Sequence, residues 1–283
     1  MAVHAHPDDE SSKGAATYAY YRSIGVDVMV VSCTGGERGD VLNDKLSRSP
    51  MARRDMAGLR RKEMEAAQAV LGVQHRWLGY VDSGMAREDG TVPLNSFADI
   101  AAEIETGTLV RVVREFRPHV ILTYDENGRY PHPDHIRSNV IGVAAYHAAG
   151  DGSRYPEEGE PWQVSKLYYD RTFNARRMTT LHEALLAEDP DSPLIERLSE
   201  MRHWLRDEPH VATTQVPVGE FFGVRDAALK AHESQVAPDS AFFFWPHHIQ
   251  QRVWPYEDYQ LIDSKVDTEM PETDLFAGVE DES

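Results

Sequence analysis

The chain opens with Met1-Ala-Val-His-Ala-His6-Pro-Asp-Asp-Glu10-Ser-Ser-Lys-Gly14, in which a short apolar strand runs into a polar turn and then into a helix. Further strand-like apolar runs lie near residues 26–32, 75–80, 119–125 and 165–171. Between them, apolar residues recur every three or four positions over residues 11–23, 52–71, 108–116 and 135–149. This alternation predicts an α/β fold, a Rossmann-like, mostly parallel sheet with helices on both faces.

The pattern changes from about residue 171. Helical patterns over residues 174–188 and 193–205 are separated by Asp-Pro-Asp-Ser-Pro, and a further helix is predicted over 224–235. We therefore expect three parts: an α/β domain over 1–171, a smaller, mainly helical C-terminal lobe over 172–264, and an acidic extended tail over 265–283.

Composition narrows the class of protein. At 41% hydrophobic residues the chain is typical of globular proteins, and no stretch approaches the roughly 20 apolar residues of a membrane span. The formal charge of -18 opposes attraction to nucleic acid or an anionic membrane, so we expect neither as a partner. Cys33 is the only cysteine, which excludes an internal disulfide. The first residues lack the pattern of a secretion signal, so we expect a cytoplasmic protein.

The first polar turn concentrates charge. His6, Asp8, Asp9 and Glu10 put one imidazole and three carboxylates within five positions. Like charges this close repel in a partly desolvated site unless a cation lies among them. Pro7 fixes the turn so that His6 and Asp9 face one metal ion, with Asp8 beside it as a non-ligand carboxylate. For this turn alone, an acidic helix N-terminus that caps free N–H groups is the alternative.

A second polar loop follows the strand predicted at 119–125 and reads Glu126-Asn-Gly-Arg-Tyr130-Pro-His132-Pro-Asp134-His135. Because the carboxyl ends of parallel strands meet at one edge of a sheet, we expect the two motifs to meet there. Three imidazole or carboxylate ligands with one open position are the pattern of a catalytic zinc site. His6, Asp9 and His135 supply such a set, and iron or cobalt binds the same ligand types.

The two motifs resemble those of the LmbE-like, or N-acetylglucosaminyl-phosphatidylinositol de-N-acetylase, superfamily of zinc hydrolases that act on N-acylated amino sugars. The likeness extends over nearly the whole chain and is weakest between residues 176 and 217. Other stretches that carry it are Thr34-Gly-Gly-Glu37, Trp77-Leu-Gly-Tyr-Val-Asp82, Ala231-His-Glu-Ser-Gln235 and Pro271-Glu-Thr-Asp-Leu-Phe276. The last of these favours the branch that hydrolyses mycothiol S-conjugates over the related deacetylases.

The resemblance implies an amidase with one Zn²⁺ per chain, or Fe²⁺ in its place, held by His6, Asp9 and His135. Its substrate would be a small thiol–sugar conjugate, cleaved at the amide between glucosamine and N-acetylcysteine to release a mercapturic acid in a detoxification reaction. The alternative activity is deacetylation of N-acetylglucosaminyl-inositol or another amino sugar. A non-catalytic binding protein on the same fold is a further alternative, although it would have no use for Asp8 beside a complete ligand set. The oligomeric state stays open.

Catalytic roles follow from the same resemblance and agree with the chemistry of the side chains. Asp8 is expected to act as general base on the attacking water. His132 is expected to stabilise the oxyanion or protonate the leaving amine, with Asp134 fixing its tautomer and keeping it cationic. Tyr130, on a loop that contains a glycine, is expected to donate to the tetrahedral intermediate.

Three residues match positions that hold sugar or inositol hydroxyls in relatives: Glu37, Arg60 and Asp82. Ordinary structural roles stay open for two of them. Arg60 lies in a charged helix where surface ion pairing is common, and Asp82 precedes Ser-Gly in a sequence typical of turns.

Three more residues are expected near the substrate. Lys13 lies one helical turn beyond the metal motif, towards the acylcysteine, with a solvated lysine as the alternative. His232 and Gln235 share a helix face and are expected to line the pocket, with core or capping contacts as the alternative. The lobe over 172–264 is expected to complete this pocket.

Overall fold

The computed structural model describes residues 1–128, 130–205 and 209–280, and in these residues seven strands form one sheet. The strands are β1 (Ala2–His4), β2 (Met29–Thr34), β3 (Gln74–Tyr80), β4 (Val120–Thr123), β5 (Lys166–Asp170), β6 (Thr214–Pro217) and β7 (Tyr256–Ser264). Their order in the sheet is β3-β2-β1-β4-β5-β7-β6. The first five pair in parallel, β7 pairs antiparallel to β5, and β6 pairs antiparallel to β7.

Helices cover both faces of this sheet. They are α1 (Asp9–Ser12), α2 (Ala15–Ser23), α3 (Pro50–Arg54), α4 (Met56–Leu71), α5 (Ala102–Phe116), α6 (Pro133–Ala149), α7 (Ala175–Glu188), α8 (Leu194–Leu205), α9 (Phe222–Ala231) and α10 (His247–Val253). Successive residues of a strand point to opposite faces, so Val30 packs into the core under α2, α4 and α9, and Val31 into the core under α5 and α6. The predicted α/β class, with a mostly parallel sheet between helices, is confirmed.

The predicted strands of the first 171 residues differ from the observed ones only at their ends, whereas three helices differ more. The helix predicted over 52–71 is divided at Asp55 into α3 and α4. The helix predicted over 11–23 is divided into α1 and α2 at Gly14, whose φ of 101° belongs to the left-handed region and interrupts the helix. Helix α5 begins at Ala102, well before the predicted start at residue 108.

The C-terminal part is mainly helical, as predicted, but it also adds strands β6 and β7 to the sheet. These strands were not predicted. Strand β7 contains Glu257 and Asp258, both fully buried. Because these residues are charged, the segment lacks the continuous apolar run that predicts an inner strand. Helices α7, α8 and α10 enclose an apolar cluster of their own. The division of the chain into 1–171, 172–264 and 265–283 stays a prediction.

Residues 265–280 are attached to the sheet. Glu272 is buried, forms an ion pair with the fully buried Lys166, and accepts hydrogen bonds from Tyr168 Oη at 2.7 Å and Thr214 Oγ1 at 2.8 Å. Leu275 is buried in the core beneath α2. Residues 281–283 of the predicted tail lie outside the described residues. Within the described residues, no helix combines the length and apolarity needed to cross a bilayer.

Candidate active site

The two sequence motifs meet at the point where the strand order reverses. Strand β1 pairs with β2 on one side and with β4 on the other, and the loops that follow β1 and β4 leave the same edge of the sheet. Such a switch point opens a crevice between neighbouring loops, where ligands bind in open α/β sheets. The turn over 5–8 and the loop residues 124–128 and 130–132 therefore face each other across one crevice.

The carboxylate of Asp9 lies at the centre of this crevice. Its Oδ2 accepts hydrogen bonds from His6 N at 3.0 Å and Tyr124 Oη at 2.6 Å, and its Oδ1 accepts one from Lys13 Nζ at 2.7 Å. Oδ2 also lies 3.5 Å from His6 Nδ1 and 3.4 Å from His135 Nε2. Two ligands of a tetrahedral zinc ion are separated by about 3.4 Å, so these distances suit a shared metal.

In His6 and His135, the ring nitrogen that does not face Asp9 has a hydrogen-bond partner, and this partner fixes the tautomer of the ring. His135 Nδ1 lies 2.9 Å from the carbonyl oxygen of Gly128, which can only accept, so Nδ1 carries the proton and Nε2 presents a lone pair. His6 Nε2 lies 3.2 Å from Asp134 Oδ2, which leaves His6 Nδ1 as a lone pair towards Asp9. Two lone pairs and a carboxylate that converge in this way fit a bound cation.

The remaining potential ligands surround the same point. In the described residues, the ligand atoms of His6, His132 and His135 all lie within 4.8 Å of one another, and so do those of His6, Asp82 and Asp134. Asp9 belongs to neither group but contacts two of these histidines. The cluster can hold a metal ion, with more donors than the three predicted from the sequence.

The carboxylates around His6 favour positive charge at its imidazole ring. Burial alone would lower the pKa of His6, but hydrogen bonds to Asp134, Asp82 and Asp9 raise it well above its usual value. Burial lowers the pKa of His132 to about 4, and the neighbouring His6 and His135 add to this effect. The carboxylates around His6 thus favour positive charge at this point, which a metal ion on Nδ1 would supply in place of a proton.

Asp8 lies beside the proposed ligands, at the N-terminus of α1. Burial raises the pKa of Asp8 in spite of the opposing charge of Arg60. Arg60 is buried rather than a surface residue: its Nη2 donates to Asp8 Oδ2 at 2.6 Å and contacts Pro7 O, and its Nη1 donates to Gly36 O at 3.0 Å. A raised pKa suits a carboxylate that takes a proton near neutral pH.

The structure corrects the expected partner of Asp134. Its carboxylate contacts His6 and accepts from Ser83 N at 2.9 Å, instead of binding His132. Only the backbone N–H of Asp134 reaches His132, donating to Nδ1 at 3.2 Å, so the remaining proton of a neutral His132 lies on Nε2. The expectation that Asp134 keeps His132 cationic is therefore wrong, because the carboxylate points to a different histidine.

A cavity of about 880 Å³ opens onto the cluster. The predicted residues Lys13, Arg60, Asp82 and Gln235 line it. The side chain of Lys13 is engaged with Asp9, and Gln235 Nε2 donates to Asp40 O at 2.9 Å.

Tyr130 also lines the cavity and is 42% exposed, which leaves it accessible to a bound substrate. Its ring lies 4.8 Å from that of His135 and 6.0 Å from that of His132. The position suits a hydroxyl that donates to a group bound beside these potential metal ligands.

Two predicted contact residues do not line the cavity. Glu37 accepts the backbone N–H of Asp82 at 2.9 Å and so supports a residue that does. His232 is fully buried, with Nε2 2.7 Å from Glu10 Oε1. The core-contact alternative for His232 is the one found, because its side chain points into the protein, away from the crevice.

The sequence predicted that the lobe over 172–264 takes part in the pocket, but it did not predict which residues form one wall of the cavity or that this wall is apolar. The wall is built by the C-terminal part from Phe173, Met201, Trp204, Leu205, Pro209, Val211, Phe242 and Phe243. Trp204 is 69% exposed, although large apolar side chains are usually buried. Arg171 and Gln260 connect this wall to the polar end, where Arg171 Nη2 donates to Gln260 Oε1 at 2.7 Å.

Comparison with known proteins finds one matching family model and relatives that are named as an amidase or a deacetylase. The family model for the GlcNAc-PI de-N-acetylases, PIG-L, matches residues 1–146. A mycothiol S-conjugate amidase from Streptomyces coelicolor is 50% identical, over 99% of this chain and 97% of that protein. A 1D-myo-inositol 2-acetamido-2-deoxy-alpha-D-glucopyranoside deacetylase from Streptomyces avermitilis is 36% identical, over 99% of this chain and 96% of that protein.

Solved structures share the fold. The N,N'-diacetylchitobiose deacetylase from Pyrococcus horikoshii matches with a TM-score of 0.62, covering 92% of this chain and 82% of its own. Its sequence identity of 17% is too low to carry more than the architecture.

Proposed function

The chain belongs to the GlcNAc-PI de-N-acetylase family of amidases and deacetylases, and from that premise we propose that it is a zinc-dependent amidase for mycothiol S-conjugates. The products are a mercapturic acid, which is the N-acetylcysteine S-conjugate, and glucosaminyl-inositol. The reaction would remove thiol-bound toxic compounds from the cell.

The observation that carries this proposal is the two-ended cavity. One end holds histidines and carboxylates, and the other is the apolar wall of Met201, Trp204 and Phe242. Both candidate substrates would place glucosaminyl-inositol in this cavity of about 880 Å³, but only an acylcysteine with an apolar group on sulfur has a group to place against the apolar wall. The relative that is 50% identical over 99% of this chain is also named for that reaction.

The proposed metal ligands are His6 Nδ1, Asp9 Oδ2 and His135 Nε2. Zinc favours imidazole and carboxylate donors at these separations. Bound there, a zinc ion would supply a Lewis acid that activates water and polarises the substrate carbonyl. Tyr124 and Lys13 hold the Asp9 carboxylate, and Gly128 and Asp134 orient the two histidines.

We assign separate roles in the hydrolysis of the amide to Asp8, His132 and Tyr130. Arg60 binds Asp8 Oδ2, so we assign Oδ1 as the oxygen that takes the proton of the attacking water. The water oxygen bonds to the amide carbon, and the Nε2–H of neutral His132 and the hydroxyl of Tyr130 donate to the developing oxyanion. As the C–N bond breaks, Asp8 passes its proton to the departing amine of the glucosamine.

Deacetylation of N-acetylglucosaminyl-inositol is the second candidate. It needs the same cluster, and the 36% identical relative is named as such a deacetylase. The two reactions differ in the acyl group that is transferred to water, so the residues around the cluster serve both reactions equally. The apolar wall favours the amidase, because acetate has no group to place against it.

Isotope labelling tests the proposal. The zinc-loaded protein is incubated with a mycothiol S-conjugate in ¹⁸O water, and all products are analysed by mass spectrometry. We expect one ¹⁸O atom in the carboxylate of the mercapturic acid and none in glucosaminyl-inositol. Label found only in released acetate would overturn the amidase proposal, and the absence of any labelled product would overturn the hydrolase mechanism.

A further inference from the structure

Asp8 has a backbone conformation that residues with a side chain rarely adopt. Its φ of 97° and ψ of -26° lie in the left-handed region. Such a conformation persists only where the surrounding structure holds it, and it occurs often at functional sites. The contacts that hold Asp8 therefore determine where its carboxylate lies.

Two side chains bind Asp8, one at its backbone N–H and the other at its carboxylate. Glu10 Oε2 accepts the backbone N–H of Asp8 at 2.9 Å. Arg60 Nη2 donates to Asp8 Oδ2 at 2.6 Å and also contacts the carbonyl of Pro7. Glu10 thus holds the backbone of Asp8, and Arg60 holds its carboxylate.

Glu10 is held in turn by a residue from the far end of the chain. Glu10 is fully buried, and its Oε1 lies 2.7 Å from His232 Nε2, which comes 222 positions later at the end of α9. His232 is also fully buried and does not line the cavity. A buried carboxylate is strongly unfavourable without donors, so His232 stabilises Glu10 in the orientation that reaches Asp8.

The segment after α9 is attached to the helix of Arg60 as well. Glu63 accepts hydrogen bonds from Ser234 N at 2.7 Å and Ser234 Oγ at 2.8 Å. Arg60 and Glu63 lie one turn apart in α4. The short segment 232–234 therefore contacts Glu10 directly and, through Glu63, the helix that carries Arg60.

We propose that His232, acting through Glu10, is a positioning residue that holds Asp8 in the conformation needed for proton transfer. The proposal rests on the proposed role of Asp8 as general base. His232 contacts neither the substrate nor the metal in this scheme, which replaces the substrate contact predicted from its sequence position.

The test compares two substitutions in the zinc-loaded, full-length protein. Glu10 Oε1 accepts from His232 and from Ser11 Oγ, and His232→Leu removes the first of these donors, whereas His232→Gln retains a donor at that position. We expect kcat of the His232→Leu variant to fall about tenfold to a hundredfold, with KM and zinc content near wild type, because displacement of a reacting group costs rate rather than binding. His232→Gln should recover most of kcat. His119→Gln, at a half-buried histidine packed against Trp162, is the matched control and should keep the wild-type rate.

A double variant separates positioning from general structural support. If His232 acts through Asp8, His232→Leu adds no further loss to Asp8→Ala, and the two effects are not additive. Additive losses, an unchanged kcat, or a loss that follows zinc content would overturn the proposal. Full activity of Asp8→Ala itself would refute the role of Asp8, and this proposal with it.

A variant of Glu10 keeps the test decisive if His232→Leu does not fold. Glu10→Met has a similar length and offers no oxygen to His232 or to the N–H of Asp8. We expect the same loss of kcat at unchanged KM, and a wild-type kcat in this variant would contradict the proposal.

Discussion

His135 Nε2 lies 3.4 Å from Asp9 Oδ2, and the hydrogen bond between His135 Nδ1 and Gly128 O leaves no proton on Nε2. Two lone-pair donors held face to face without a proton between them are the arrangement of metal ligands. The same relationship exists between Asp9 and His6 at 3.5 Å. Asp9 is thus the residue common to both contacts.

Removal of a proposed ligand should abolish tight zinc binding. Loss of a residue that only supports a ligand typically weakens metal affinity about tenfold to a hundredfold, so His135→Gln should weaken it by more than about a hundredfold. Competition with a chromophoric chelator measures this affinity. The control is Gln163→Glu in the loop after α6, which lies outside the cavity and should bind zinc as wild type does. Wild-type affinity in His135→Gln would exclude His135 as a ligand.

Asp134→Asn distinguishes the two possible partners of Asp134. Because the carboxylate contacts His6, we expect zinc affinity to fall about tenfold to a hundredfold. A partner role for His132 would instead lower kcat at full zinc occupancy. The readout is the zinc dissociation constant measured beside kcat at saturating zinc, and a loss confined to kcat would refute the contact with His6 as the functional one.

Tyr130→Phe should lower kcat without a comparable effect on KM. The hydroxyl is proposed to donate only to the oxyanion, and removal of one such donor typically costs about a hundredfold to a thousandfold in rate. Steady-state kinetics on zinc-loaded protein measure the effect. Tyr20→Phe, on α2 and outside the cavity, is the control with the same chemical change. A loss seen mainly in KM would indicate that Tyr130 binds the ground state.

The buried pair of Lys166 and Glu272 should make stability depend on pH. Burial alone would raise the pKa of Glu272, but hydrogen bonds from Lys166, Thr268 and Tyr168 lower it below its usual value. Since the folded-state pKa is the lower one, the contribution of Glu272 is complete above the unfolded value of about 4.5 and is lost as pH falls through the folded value.

Urea unfolding at several pH values between 7 and 2 tests this contribution. Glu272→Ala leaves the buried ammonium of Lys166 without a counter-charge, although Ala277 O still accepts from it, so the free energy of unfolding at pH 7 should fall by about 3–5 kcal/mol. The difference from wild type should stay constant down to about pH 4.5 and shrink below it. Glu65→Gln, at an exposed carboxylate of α4, should match wild type throughout. A difference that stays constant with pH would show that Glu272 is not ionised in the folded protein.

The cluster of potential metal ligands could be predicted because its signal is local. His6, Asp9 and His135 each lie in the polar turn or at the helix start that follows an apolar strand, and parallel strands bring these segments to one edge. The partner of Asp134 could not be predicted in this way. His132 is two positions away in the chain, but His6, 128 positions away, receives the carboxylate because α6 turns Asp134 towards β1.

The apolar wall and the support of Asp8 left no pattern in the sequence. Phe173, Trp204 and Phe242 come from three separate segments, and only the packing of the C-terminal part brings them to one cavity. Glu10 and His232 similarly depend on α9 lying against α1 and α4. Strand β7 was missed for a related reason, since its buried carboxylates Glu257 and Asp258 pair with residues that lie far away in the chain.

The most direct test of the proposed function is the ratio of kcat/KM for S-benzyl mycothiol to that for N-acetylglucosaminyl-inositol on the same zinc-loaded protein. We predict a ratio above about ten, because burial of one large apolar group contributes about 1.5–3 kcal/mol. Trp204→Ala should reduce this ratio, whereas Leu94→Ala, exposed but outside the cavity, should not. A wild-type ratio below one would contradict the amidase assignment and identify the protein as a deacetylase.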